Sequence, residues 1–68
     1  MTVASQVKQT LAAIKGSQGT LRIYAAQSQD EETCAVFNEA IDVTACIIND
    51  LEERLKVLEL QEPQYKGN

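Results

Sequence analysis

Cys34, Phe37, Ile41, Thr44, Ile48, Leu51, Leu55 and Leu58 follow one another at alternating steps of three and four without a miss. That is the a/d spacing of a helix pressed along one side, and held over more than three heptads it commits the second half of the chain to one long helix. Its ends are marked as well. Ser28-Gln29-Asp30-Glu31 has the form of a capping box, and Asp30, Glu31 and Glu32 put negative charge where the helix dipole favours it. Pro63 cannot continue a helix interior and pushes the residue before it towards extended geometry. The spacing therefore predicts a helix over about 29–61 and a non-helical tail over 62–68.

The first half reads the same way. Val3, Val7, Leu11, Ile14, Leu21 and Ala25 recur on one helical face behind Thr2, a natural N-cap. This predicts a helix over about 2–27. Gly16 and Gly19 each cost about 1 kcal/mol relative to alanine in a helix interior, so a break there is the alternative. The seven-residue steps from Val7 to Ile14 to Leu21 keep their phase through the glycines and favour one continuous helix. The expected fold is all-α: a single domain, 1–68, made of an antiparallel hairpin of two long helices.

A hairpin of this kind is too thin to hide its own seam. Hydrophobic residues are 44 % of the chain, but aromatics only 4 %, so any core is aliphatic. Beyond the seam, Ala40 and Ile47 widen the apolar stripe on one flank, and Val36 and Val43 are expected to extend it on the other. Two helices alone bury little more than their mutual contact, and the folding free energy of so small a scaffold comes out near zero. Association into a dimeric four-helix bundle is the simplest remedy. The expected oligomer interface is Phe37, Ile41, Thr44, Ile47, Ile48, Leu51, Leu55 and Leu58. Lys8, Lys15 and Arg22 form a stripe at seven-residue spacing, and all ten acidic residues follow Gln27. Antiparallel pairing is expected to bring Lys15 near Asp42 and Lys8 near Asp50, the alternative being a solvated face.

Composition removes most chemistry. There is no histidine, the commonest general base and metal ligand. Glu39 with Asp42, and Asp50 with Glu53 and Arg54, could share sites on one helix, but a carboxylate-bridged metal centre in a bundle draws on Glu-x-x-His pairs. Hydroxyls such as Ser17 and Thr44 lack an adjacent base and an orienting group. Gly16-Ser17-Gln18-Gly19 lacks the Gly-Lys-Ser/Thr ending of a phosphate loop. Its small residues are expected to give room to Phe37 on the facing helix, and the Thr44 hydroxyl is expected to bond back to the carbonyl four residues earlier. No catalytic residue, metal site or cofactor is expected, and the chain is read as not an enzyme. A net charge of −4 opposes nucleic acid as a partner.

Cys34 and Cys46 lie about 18 Å apart along one helix, too far for an internal disulfide, and read as reduced small hydrophobes. No apolar run reaches membrane-spanning length and no leader pattern opens the chain, so it is expected to be cytoplasmic, without membrane contact.

The opening Met1-Thr2-Val3-Ala4-Ser5-Gln6-Val7-Lys8-Gln9-Thr10-Leu11, the Ile14-Lys15-Gly16 that follows, and the ending Glu62-Pro63-Gln64-Tyr65-Lys66-Gly67 together resemble a family of short proteins from endospore-forming bacteria, domain of unknown function 1657. The sequence departs from that ending with Gln61 in place of a glutamate and Asn68 in place of an aromatic. The resemblance implies a role connected with sporulation or the spore, and a spore membrane protein as a candidate partner. It supplies no catalytic residues.

The expected function is that of a small structural or adaptor protein acting through helix assembly and partner docking. Its rivals are an apolar-ligand carrier, with a cavity near Ser17, Gly19 and Thr44 in the bundle core, and a peripheral membrane-surface protein using the basic stripe. Pro63, Tyr65 and Lys66 are candidates for partner docking, since proline limits the entropy lost on ordering and tyrosine is a rigid amphipathic anchor.

Overall fold

The computed structural model describes residues 2–61. The expectations for Pro63, Tyr65, Lys66 and the tail over 62–68 lie outside the described residues. Two α-helices, α1 (Val3–Gln27) and α2 (Glu31–Gln61), pack antiparallel along their lengths, and no strand is present among the described residues. The molecule measures 50 × 16 × 11 Å with a radius of gyration of 15.3 Å. A compact chain of this length would have a radius near 11 Å, so the hairpin is a rod with little interior.

Thr2 starts α1. Its backbone is extended, its hydroxyl accepts from the Ser5 amide at 3.0 Å, and its carbonyl accepts from the Gln6 amide at 3.0 Å. The helix runs through Gly16 and Gly19 without a break. Packing against α2 along the whole face outweighs the glycine penalty, as tertiary context commonly does. Neither glycine makes room for anything within the hairpin, because a Cβ added at either would meet nothing within 4 Å. Phe37 packs instead against Tyr24, with ring centroids 5.7 Å apart and planes inclined at 50°.

The turn corrects the expected capping box. Ser28 closes α1: its backbone is extended and its amide still donates to the Tyr24 carbonyl at 3.0 Å. It is therefore not free to open α2, which begins two residues later than expected. Asp30 does that work. Its carboxylate accepts from the Thr33 amide at 3.0 Å and from the Thr33 hydroxyl at 2.6 Å, and its carbonyl accepts from the Cys34 amide at 2.9 Å. The Ser28 hydroxyl donates to the Asp30 carbonyl at 3.2 Å, tying the two caps together. Both bonds from Thr33 favour the charged carboxylate, and the side-chain bond, the stronger influence, holds Asp30 below the ordinary carboxylate range.

Among the described residues, only Ala4, Leu11 and Ile41 are buried, and no side chain is fully enclosed. The rest of the seam, including Val7, Ile14, Leu21, Phe37, Ile48, Leu51, Leu55 and Leu58, is half-buried. Each of these side chains is covered by the facing helix and open on one side.

The interhelix ion pairs differ from the expected ones. Lys8 Nζ meets Glu59 at 3.1 Å and Lys15 Nζ meets Glu52 at 3.1 Å, in place of Asp50 and Asp42. Side chains lean towards the N-terminus of their own helix. In an antiparallel pair, Lys15 therefore leans towards the C-terminal end of α2 while Glu52 leans back to meet it. Counting levels from the turn without this tilt selects an acid too near the turn.

Candidate interaction surface

α2 carries two seams. The inner one, from Cys34 to Leu58, meets α1. One position round the helix, Val36, Ala40, Val43, Ile47, Asp50, Arg54 and Val57 repeat the same alternation of four and three. Among the described residues, little covers this outer seam beyond the half-buried Ala40. Val36 is 64 % exposed, Val43 54 %, Ile47 42 % and Val57 50 %. These positions share a single flank, which corrects the expectation that Val36 and Val43 lie on the side opposite Ala40 and Ile47. Apart from Leu60, 78 % exposed near the end of the helix, the large exposed apolar residues of α2 are thus gathered on one side.

The residues expected between copies divide accordingly. Ile41 is buried against α1, and Phe37, Thr44, Ile48, Leu51, Leu55 and Leu58 are half-buried along the inner seam, while Ile47 points outwards. Val36, Val43 and Val57 complete the outward set that the expected list lacks. The 36, 40, 43, 47 spacing was the signal for them, and it was masked by the more regular inner repeat. On α1, the same face shows Val3 and Tyr24 exposed, with Val7 lining an open cleft alongside Leu51, Arg54, Val57 and Leu58.

The opposite face is polar. The Lys8–Glu59 and Lys15–Glu52 pairs run along it, and a shallow cleft there is lined by Asn49, Glu52, Glu53, Lys56 and Glu59 around Leu11. The hairpin therefore has one side lined by interhelix ion pairs and one whose exposed residues are mostly apolar, Asp50 and Arg54 excepted.

Midway along the inner seam, Gln18 supplies a polar contact that the sequence pattern did not reveal. Its Nε2 donates to the Ile41 carbonyl at 3.2 Å and to Thr44 Oγ1 at 3.1 Å. Thr44 Oγ1 donates in turn to the Ile41 carbonyl at 2.8 Å, three residues back. The Thr44 hydroxyl is spent on its own helix, but on the carbonyl three residues back in place of the expected one four back, and it also forms half of a link between helices.

Among the described residues, no three acidic or cysteine side chains converge in a way that could hold a metal ion. Asp50 is paired with Arg54 at 3.0 Å, both well exposed. Cys34 and Cys46 are free thiols. Cys34 is half-buried and donates to the Ala25 carbonyl at 3.6 Å, whereas Cys46 is exposed. Ser17 and Gly19 are exposed, and Thr44 is held by Gln18. No helix among the described residues is long and apolar enough to cross a membrane.

A protein family described as protein of unknown function (DUF1657) matches residues 7–55, more than two thirds of the chain. The chain belongs to that family. The DUF1657 match takes in Lys8, Leu11 and Ile14-Lys15-Gly16, the turn, and α2 as far as Leu55. It contains the Gln18–Thr44 link and most of the outer seam, and it ends before the Pro63–Gly67 string. No curated protein and no solved structure matches the chain.

Proposed function

We propose that this DUF1657 protein is a structural or adaptor protein that works by assembling its hairpins, as a homodimer, and by docking a partner protein. Catalysis has no part in this reading. The observation that carries it is the outer seam of α2. Fully burying a valine or isoleucine contributes roughly 1.5–3 kcal/mol, and Val36, Val43, Ile47 and Val57 each retain about half of that potential in the single hairpin. A chain with so little enclosed interior gains from covering that face. Dimerisation into a four-helix bundle does so with material the chain itself supplies.

The cytoplasm is the compartment in this reading, and a spore or sporulation setting is the context that the family resemblance suggests. The tail residues Pro63, Tyr65 and Lys66 are the docking element in this reading, with a spore membrane protein as the candidate partner.

Mass action tests the assembly. If dimerisation stabilises the fold, the melting temperature followed by circular dichroism rises with protein concentration. A melting temperature unchanged over a hundredfold range of concentration would sink the homodimer. Deleting residues after Gln61 tests the docking element: dimerisation should persist while capture of the partner is lost.

A further inference from the structure

The outer seam of α2 is complementary to itself when one copy is turned end for end. It runs from Val36 to Val57, with Cys46 and Ile47 at the midpoint. The charges are unevenly placed along it. Asp50 and Arg54, paired to each other, lie in the C-terminal half, while Val36, Ala40 and Val43 lie in the N-terminal half with Glu39 at their edge.

Two copies aligned in parallel would stack Arg54 on Arg54, Asp50 on Asp50 and Glu39 on Glu39, like charges at every charged level. The antiparallel alignment removes this. It puts Arg54 at the level of Ala40 and Glu39 of the second copy, where a small side chain leaves room and a carboxylate supplies the opposite charge. It also sets Val36 against Val57 and brings the two Ile47 side chains together at the centre, with Asp50 at the level of Val43. The α1 residues bordering the middle of this face, Thr10, Ala13 and Ser17, are small and do not hold a second copy away.

Resting on the homodimer reading, we infer that the second copy docks on the outer seam with α2 antiparallel to α2, and that the twofold axis crosses the helix beside Cys46 and Ile47. Packed helices stand about 8–10 Å apart, so the axis brings the exposed Cys46 thiols of the two copies within reach of one short crosslinker. The two Val36 positions lie about 33 Å apart along the helix axis, far outside that reach.

The test uses the full chain and a short bis-maleimide, after sedimentation has given the mass. A crosslinked dimer is expected from the unsubstituted protein and from Cys34→Ala, and none from Cys46→Ser. None is expected from Val36→Cys in a Cys34→Ala, Cys46→Ser background. Efficient crosslinking of that Val36→Cys variant would establish a parallel dimer and overturn the inference. So would a sedimenting dimer whose Cys46 thiols do not crosslink, and in both cases the homodimer reading stands. A monomer in sedimentation removes both.

Discussion

Gln18 of α1 reaches across the hairpin and donates to Thr44 of α2 at 3.1 Å, beside the buried Ile41 whose carbonyl accepts from both side chains. A polar pair in an otherwise apolar seam fixes register, because sliding one helix by a turn would leave the amide facing aliphatic carbon. Replacing Thr44 by Val should cost about 1 kcal/mol, as should Gln18→Ala after allowance for lost packing. The double variant should lose less than the sum of the two. A double-mutant cycle by urea denaturation measures this, and a coupling of zero would show that the bond contributes nothing.

The glycines make the opposite kind of prediction. Gly16 and Gly19 are helical and open, so Gly16→Ala and Gly19→Ala should each raise stability by roughly 0.5–1 kcal/mol, seen as a higher melting temperature. A fall on either substitution would mean that these positions approach something outside the hairpin.

Acid should weaken the turn. Asp30 is held below the ordinary carboxylate range by the Thr33 hydroxyl and amide. Its folded value is lower than its unfolded one, so its contribution is present above the unfolded value near pH 4 and is lost as pH falls through the folded value. Asp30→Asn keeps a cap acceptor but cannot titrate. Thermal melts between pH 6 and pH 2 should show a shallower acid decline in that variant than in the unsubstituted protein. Identical declines would place the acid sensitivity elsewhere.

The two interhelix ion pairs are exposed and should be worth little. Lys15→Glu should cost up to about 1 kcal/mol, and adding Glu52→Lys should restore most of it. The same swap made with Asp42→Lys should restore less, because Asp42 is not the residue that Lys15 meets.

What could be read in advance follows from which patterns are local. The inner seam from Cys34 to Leu58 and the Val3–Ala25 face of α1 depend only on periodicity, and they placed both helices and their antiparallel pairing. The Ser28-Gln29-Asp30-Glu31 string contained the right kind of cap but not its owner, since that depended on Ser28 being claimed by the end of α1. The Lys15 partner depended on the lean of side chains, which residue counting omits. Gln18 is not legible in advance, because a glutamine between two glycines reads as part of a weak stretch and its role exists only when Ile41 and Thr44 lie opposite. The outer seam is legible in Ala40 and Ile47, and Val36 and Val43 join the same flank once they are stepped at the same alternation of four and three.

Neighbouring isoleucines separate the two seams. Ile48→Asp puts an unpaired charge against α1, at a cost of several kcal/mol, and should unfold the hairpin at every concentration. Ile47→Asp leaves the inner seam intact and should instead abolish the rise of melting temperature with concentration. A melting temperature of the Ile47→Asp variant that still rises with concentration would mean that the outer seam is not what a second copy covers.

The most direct measurement is sedimentation equilibrium of the full chain at micromolar to tens of micromolar concentration. The outer seam of α2 predicts a mass of twice the 7.5 kDa chain, in equilibrium with a less helical monomer on dilution. A fully helical species at the mass of one chain throughout that range would contradict the claim that this hairpin is built to be covered by a second copy.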